Sequence, residues 1–178
     1  TSISPLCVGD LAPDFSSTDS TGTIRSLSEF SGSKLVLYFY PRDNTPGCTS
    51  QACNLTENYS ELSKHGIKII GVSPDSEAKH IKFINKYDIA FELLADEDKS
   101  VHMAYGVWAE KKFMGKVFDG THRTTFLIDE SSKIVEIIAK PKCTDHAAEI
   151  CAGDNLKFNV NLNYKLNVKL NVVYIKSV

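Results

Sequence analysis

The stretch KLVLYFY, residues 34–40, is almost continuously apolar and rich in residues that favour strands. Such a strand is typical of a parallel sheet whose two faces are both covered by other elements. IKIIGVS, residues 67–73, repeats the pattern. The segment between them has the apolar spacing of a helix, at Ala52, Leu55, Tyr59 and Leu62. Two strands joined by a helix pair in parallel through a right-handed crossover, so a βαβ unit is predicted here.

A second helix is predicted after this unit. Ser76 is suited to its N-cap, and its apolar stripe is expected to consist of Ala78, Ile81 and Ile84. Residues 96–107 are then predicted to contain a short helix that ends at Gly106. The order strand, helix, strand, helix from residue 34 onward indicates that helices and strands alternate in this part of the chain.

The second half of the chain predicts another type of strand pairing. RTTFLID (123–129) and KIVEIIA (133–139) flank three turn-forming residues, which indicates an antiparallel hairpin. A final helix is expected to run to Cys151. Together these elements predict an α/β domain over residues 1–155, with a mixed central sheet flanked by helices on both faces.

The C-terminal segment, residues 156–178, has a pattern of its own. From Leu156 to Tyr174 every second residue is apolar, and the residues between them are Lys or Asn up to residue 171. This alternation indicates a strand with one buried face. Such a strand would be on the order of 60 Å long, so the tail is predicted to fold back as a hairpin or to lie along another chain. A low-complexity appendage without function is the simpler interpretation.

Composition and charge exclude several classes of function. A formal net charge of -2 argues against nucleic acid as the main partner. No stretch approaches the roughly 18 apolar residues of a membrane-spanning helix. The segment TSISPLCVGD has neither the basic nor the apolar region of a secretory signal, so a cytoplasmic protein is expected.

The cysteines limit the chemistry further. Structural disulfides are rare in a reducing cytoplasm, so two cysteines five positions apart indicate catalytic, redox-sensing or metal-binding chemistry. A zinc site is disfavoured because the spacing is C-x4-C and no second Cys/His pair lies nearby. The five cysteines are Cys7, Cys48, Cys53, Cys143 and Cys151.

The stretch PRDNTPGCTSQAC, residues 41–53, lies where a strand gives way to a helix. Pro46 suits a first helical turn, and Gly47 permits close backbone approach. Cys48 is therefore expected in that turn, where unpaired N–H groups and the helix dipole stabilise an anion. A thiol there has a lowered pKa. A shift from about 8.5 to about 6 would raise the thiolate fraction at pH 7 from about 3% to about 90%, so Cys48 is predicted to be reactive, with Thr45 as a nearby donor.

The same stretch resembles the PxxxTxxC signature of the peroxiredoxins, with Pro41, Thr45 and Cys48 in the defining positions. Cys53 is similar to the second cysteine of the bacterioferritin comigratory protein, or peroxiredoxin Q, subfamily. Further matches run in family order over roughly residues 5–151. They are APDF (12–15), GVSPDS (71–76), YGVWAEKKFMGK (105–116) and HRTTFLID (122–129).

The resemblance implies a thioredoxin-like fold and a thiol-dependent peroxidase. Cys48 would attack hydrogen peroxide or an organic hydroperoxide and become a sulfenic acid, while Arg123 stabilises the thiolate and the polarised peroxide. Thr45 would hydrogen-bond the peroxide, and Pro41 would shield the site from water. Cys53 would condense with the sulfenic acid to a disulfide, which thioredoxin or a similar thiol would reduce. The resemblance implies neither a metal nor an organic cofactor.

Two features set expectations beyond the signature. Gln51 stands where many relatives carry Glu, which changes local hydrogen bonding without removing a catalytic group. In an intact helix, Cys48 and Cys53 are separated by about 7.5 Å in rise and about 140° in rotation. Their Cα atoms then lie beyond the roughly 4.4–6.8 Å of a disulfide, so this turn is predicted to unwind when the bond forms.

Alternatives to this reaction scheme stay open. If Cys53 only packs on a helix face, the chain is a one-cysteine peroxidase resolved by an external thiol. A thioredoxin-type oxidoreductase would suit the fold but needs C-x2-C, and a non-enzymatic holdase would use the tail. Cys7, Cys143 and Cys151 are interpreted as incidental, although Cys143 or Cys151 is an alternative resolving thiol. Relatives are often monomers, so a monomer is expected, with a homodimer through the tail as the alternative.

Overall fold

The structure of the protein is a computed structural model that describes residues 5–152. The predicted tail, residues 156–178, lies outside the described residues. The strands are β1 (Ser16–Asp19), β2 (Ile24–Ser26), β3 (Lys34–Phe39), β4 (Ile67–Ser73), β5 (Glu92–Ala95), β6 (Trp108–Phe113), β7 (Lys116–Thr121), β8 (Thr124–Ile128) and β9 (Ile134–Ala139). The helices are α1 (Pro46–Lys64), α2 (Glu77–Tyr87), α3 (Ser100–Ala104) and α4 (His146–Ala152), with a 3-10 helix at Leu27–Phe30.

Seven strands form one mixed sheet in the order β2-β1-β5-β4-β3-β8-β9. Strands β3, β4 and β5 are parallel, and β8 and β9 extend the sheet as an antiparallel hairpin beside β3. The predicted βαβ unit and hairpin are therefore confirmed. Strands β1, β2 and β5 are short additions that the apolar pattern does not indicate, and β6 and β7 form a separate two-stranded sheet.

Strand β3 is covered on both faces, as its unbroken apolar sequence predicts. Val36 and Tyr38 belong to the core that is shared with α1, α2 and α4. Leu37 and Phe39 point to the other face and pack in the core that contains Val101 of α3. Alternate residues of one strand thus enter two separate cores, which fixes β3, and the loop that follows it, at the centre of the molecule.

The apolar stripe predicted for α2 is confirmed at Ile84, which packs against the core, and is wrong at the other two positions. The helix does begin after Ser76, but Ala78 is exposed and the Ile81 side chain is 44% exposed. The fully buried residues of α2 are instead His80 and Phe83. The helix is rotated from the expected orientation because His80 has buried hydrogen-bond partners beneath it, described below.

The helices serve to cover the sheet. The longest of them, α1, has 19 residues but presents exposed polar side chains along one side. Between residues 5 and 152, no helix has both the length and the apolar character needed to cross a bilayer.

Candidate active site

Cys48 lies in the first turn of α1, directly beyond the end of β3. Thr45 occupies the N-cap and Pro46 the first helical position, so Cys48 is the third residue of the helix. N–H groups in this turn have no partner within a helix, and the positive end of the dipole lies here. The Cys48 side chain is only 1% exposed. A thiolate at this position is stabilised by the helix while bulk water is largely excluded from it.

Arg123 provides the full positive charge of the site. It immediately precedes β8, which pairs with β3, and its backbone carbonyl accepts a hydrogen bond from the N–H of Lys140 (3.1 Å). One guanidinium nitrogen, Nη2, donates to Cys48 Sγ at 3.2 Å. The sheet thus brings together two residues 75 positions apart in sequence. The charged donor favours the thiolate form of the sulfur over the neutral thiol.

Gln51 orients the guanidinium. Its Oε1 accepts a hydrogen bond from Arg123 Nη1 at 2.6 Å, so the two ends of the guanidinium are held by Gln51 and Cys48. Gln51 is fully buried, and its Nε2 has no hydrogen-bond partner among the described residues. Because this side chain is neutral, the charge of Arg123 is not offset here as a glutamate would offset it.

Thr45 and Pro41 lie in the loop between β3 and α1. The Thr45 hydroxyl does not cap the helix; it donates to the carbonyl of Arg42 at 3.1 Å. Its oxygen keeps lone pairs with which it can accept a hydrogen bond from a hydroperoxide O–H. Pro41 is half-buried and follows the buried Tyr40. The structure thus places both predicted residues in the loop that leads to Cys48, without a hydrogen bond to its sulfur.

Cys53 lies in the same helix, but not within bonding distance of Cys48. Helix α1 is continuous through both residues, and both are free thiols. Burial raises the pKa of the half-buried Cys53 thiol, and the negative charge of Glu57 raises it further. The structure therefore shows a reduced site in which a Cys48–Cys53 bond first requires the helix to open.

Comparison with known proteins assigns this arrangement to a family. Residues 8–137 match the AhpC/TSA family. A putative peroxiredoxin, Bcp, of Haemophilus influenzae is 46% identical over 144 residues, which cover 81% of this chain and 93% of that protein. Peroxiredoxin Bcp of Escherichia coli K12 is 45% identical and covers 81% of this chain and 92% of its own. The chain is a peroxiredoxin of the AhpC/TSA family.

Solved structures agree with this assignment. Peroxiredoxin Q of Xanthomonas campestris is 38% identical with a TM-score of 0.73, covering 78% of this chain and 87% of that one. PrxQ of Xylella fastidiosa is 31% identical with a TM-score of 0.78, covering 84% and 95% respectively. The predicted thioredoxin-like fold and thiol peroxidase activity are confirmed at the level of the family. A peroxiredoxin consumes a hydroperoxide and a thiol reductant, so the interpretation as a thioredoxin-type oxidoreductase is set aside.

A buried hydrogen-bond network lies behind the loop between β3 and α1, and the sequence of this peroxiredoxin did not predict it. Asp43 accepts hydrogen bonds through Oδ1 from the Tyr40 hydroxyl (2.7 Å), and its Oδ2 lies 2.8 Å from His80 Nδ1. The other ring nitrogen of His80 lies 3.1 Å from the Leu94 carbonyl. Both ring nitrogens of His80 face oxygen atoms. The contacts of His80 with Asp43 and with Leu94 thus fasten the loop to α2 and α2 to β5.

Asp75 holds the same loop through its backbone. Its Oδ2 accepts from the N–H of Asp43 at 2.7 Å and from the Ser73 hydroxyl at 3.2 Å, and its Oδ1 accepts from Lys79 Nζ at 2.9 Å. Burial acts to raise the pKa of this carboxyl, but these hydrogen bonds outweigh it and the net pKa is lowered. The ionised carboxylate therefore stabilises the fold.

Replacing Asp75 by Asn is expected to lower the free energy of unfolding by about 2 kcal/mol at pH 7, the usual value of hydrogen bonds to a charged group. The folded pKa is depressed, so the stabilisation is present above the unfolded value near 3.8 and is lost as the pH falls through the folded value. Urea denaturation at a series of pH values checks this. The difference from wild type should shrink below about pH 4, whereas Asp119→Asn, at an exposed position on β7, should change little at any pH.

The described residues contain no cluster of side chains that could bind a metal ion. Within residues 5–152, no three or more His, Cys, Asp or Glu side chains are arranged to hold an ion. The acidic and histidine side chains near the site contact each other, as Asp43 and His80 do.

Proposed function

We propose that Cys48 is the cysteine that reduces the hydroperoxide. The contact of 3.2 Å between Arg123 Nη2 and Cys48 Sγ carries the proposal. The thiolate attacks the terminal oxygen of the hydroperoxide, the O–O bond breaks, and the leaving oxygen takes a proton to become water or an alcohol. Cys48 is left as a sulfenic acid. This attack on the hydroperoxide requires a nucleophile that is an anion at neutral pH and that can lose two electrons to the peroxide.

Arg123 supports both the anion and the bond that breaks. In the resting site its charge faces the sulfur, and as the O–O bond lengthens, the growing negative charge lies on the leaving oxygen. A fixed guanidinium stabilises that charge without reorganisation. Gln51 keeps the group in place by holding Nη1, so Nη2 stays directed at the reacting atoms.

Thr45 and Pro41 are proposed to shape the place that the hydroperoxide occupies. The Thr45 hydroxyl already donates to Arg42, so its oxygen is available as an acceptor for the peroxide O–H. Pro41 has no N–H of its own and presents apolar surface beside the loop. Positioning of this kind aligns the O–O bond with the attacking sulfur.

Cys53 is proposed to resolve the sulfenic acid. Its thiol would attack Cys48 Sγ, forming the disulfide and releasing the sulfenic oxygen as water. The first turns of α1 must unwind for this, since the helix is intact in the reduced structure. Thioredoxin or a similar dithiol would then reduce the bond by exchange. Such recycling suits a reducing compartment, so the cytoplasm is the proposed location, and a monomer the proposed state.

Substrate breadth is inferred from one relative. The bacterioferritin comigratory protein of Xanthomonas campestris, 37% identical to this chain, has been studied for alkyl peroxide reduction. We extend this activity to the present chain, so organic hydroperoxides as well as hydrogen peroxide are the proposed substrates.

A Cys53→Ser variant tests the scheme. The first turnover should keep the wild-type rate constant, because peroxide reduction precedes resolution. Thioredoxin-dependent steady-state turnover should fall by about tenfold or more, because Cys53 no longer resolves the sulfenic acid. Stopped-flow measurement of one turnover, with dimedone labelling and mass spectrometry to locate the sulfenic acid, separates the two steps.

Cys7→Ser is the matched control, because Cys7 is exposed and lies in the N-terminal segment. It should leave both steps at the wild-type rate. Dimedone on a cysteine other than Cys48, or full steady-state turnover by Cys53→Ser, would contradict the proposed roles of the two thiols.

A further inference from the structure

Cys143 lies close to the active-site arginine and to the residue that precedes Cys48. It belongs to the loop between β9 and α4 and is half-buried. A Cβ atom built on Gly47 would be 3.9 Å from Cys143 Sγ and 3.6 Å from Arg123 Nη2. Gly47 is the residue directly before Cys48, so the Cys143 thiol lies beside the first turn of α1.

These contacts limit how far apart the two sulfurs are. Arg123 Nη2 is 3.2 Å from Cys48 Sγ. Adding this distance to the two distances from the Cβ atom built on Gly47 gives an upper bound of about 11 Å between the sulfurs of Cys48 and Cys143. The two sulfurs of a disulfide are about 2 Å apart. A rotation of the Cys143 side chain and a shift of its loop must close the gap, and α1 can remain folded below its first turn.

Hydrogen bonds hold the loop on both sides of Cys143, while Cys143 itself is held only weakly. Before it, the N–H of Lys140 is bonded to the Arg123 carbonyl. After it, Asn54 of α1 donates through Nδ2 to the Thr144 carbonyl (3.3 Å) and accepts from the N–H of Ala147 (2.8 Å). The Cys143 thiol has only a weak contact of 3.9 Å with the Pro141 carbonyl. The tethers keep Cys143 near α1 and leave its sulfur free to turn.

Cys53 and Cys151 face obstacles of a different kind. Cys53 reaches Cys48 only after helix α1 opens, and burial followed by the charge of Glu57 raises the pKa of its thiol. Burial raises the pKa of Cys151 to about 11, so its thiol is almost entirely protonated at neutral pH. Cys143 does not share a helix with Cys48, so its approach to Cys48 does not require the turns between Cys48 and Cys53 to unwind.

We infer that Cys143 is a second resolving thiol, which attacks sulfenylated Cys48 and forms a Cys48–Cys143 disulfide. The inference rests on the proposed function, because it needs a sulfenic acid on Cys48. The thiol of Cys143 loses its proton, its sulfur bonds to Cys48 Sγ, and the S–O bond breaks so that the hydroxyl leaves as water. The bond joins α1 to the loop before α4, and a dithiol reductant restores both thiols by exchange.

The test compares Cys53→Ser with the double variant Cys53→Ser/Cys143→Ser. Each is treated with one equivalent of hydrogen peroxide, alkylated, digested without reductant and mapped by mass spectrometry. The single variant should yield the 48–143 linked peptide. Its Cys48 sulfenic acid, followed with dimedone, should decay at least tenfold faster than that of the double variant. The double variant should overoxidise at lower peroxide concentrations.

Cys53→Ser/Cys151→Ser is the matched control, since it removes a different thiol from the C-terminal part of the domain; it should link Cys48 to Cys143 as readily as Cys53→Ser does. Absence of the 48–143 peptide, with equal sulfenic acid lifetimes in the single and double variants, would overturn the inference while leaving Cys48 as the peroxide-reducing residue. Absence of any dimedone adduct on Cys48 in the double variant would instead overturn the proposed function.

Discussion

Replacing Cys48 by serine is expected to reduce peroxide consumption to the rate observed without enzyme. The serine hydroxyl does not ionise at neutral pH and cannot be oxidised to an equivalent of the sulfenic acid. Loss of the nucleophile in other enzymes lowers the rate by many orders of magnitude, so a fall on the order of 10³-fold or more is expected. A thioredoxin-coupled assay of hydrogen peroxide consumption measures it.

The control for this variant is Cys151→Ser, because it removes a thiol from the same core without touching the arginine. It should retain wild-type turnover. Circular dichroism should show that Cys48→Ser remains folded, since serine is smaller than cysteine and the site is closely packed. Wild-type peroxide consumption by Cys48→Ser would mean that another thiol reacts with the peroxide.

The parts of the site that lie close together in sequence could be predicted. An apolar strand followed by Pro46 and Gly47 places Cys48 in the first turn of a helix, and the structure has this arrangement. Parallel pairing of β3 with β4 follows from the same segment. These features depend on local patterns of apolar residues and on the backbone preferences of proline and glycine, which a single sequence contains.

Long-range polar contacts could not be predicted in this way. His80 reads as a surface residue of an amphipathic helix, yet it is fully buried because Asp43, 37 positions earlier, pairs with it. A count of apolar residues at helical spacing cannot detect a buried contact between two polar side chains. The contact between Arg123 and Gln51 was missed for the same reason, although both residues were noted. Strand β5 was missed because it has only four residues, too few to show a periodic pattern.

The polar contacts explain how one arginine can serve several purposes. Arg123 lies between Cys48, Gln51 and the loop of Cys143. Its backbone is held by the sheet through Lys140. The backbone tether to the sheet does not depend on α1, so it would keep the arginine near Cys48 if the first turn of α1 opens as proposed.

Replacing Arg123 by methionine, which keeps most of the length but not the charge, is expected to slow peroxide reduction by about 10²- to 10³-fold. This corresponds to about 2.7–4 kcal/mol of transition-state stabilisation, because the variant lacks both the cation at the thiolate and the donor to the leaving oxygen. The decrease is measured as the ratio of the second-order rate constants of the first turnover, obtained by competition with a reporter peroxidase. The rate constant of Arg123→Lys should lie between those of the wild type and Arg123→Met. Lysine keeps the positive charge but cannot contact Cys48 and Gln51 at the same time as the guanidinium does.

Arg25→Met is the control for Arg123→Met, because it removes an arginine that contributes to stability but lies far from Cys48. Arg25 lies on β2, where it forms ion pairs with Asp19 (2.9 Å), Glu29 (3.2 Å) and Glu92 (2.9 Å) at the far edge of the sheet. Its loss should lower the midpoint of thermal unfolding and leave the rate constant of the first turnover unchanged. If Arg123→Met reacted with peroxide as fast as Arg25→Met, the guanidinium would be a structural contact of Cys48 alone. The activation of the sulfur would then have to come from the helix N-terminus, whose N–H groups and dipole remain in both variants.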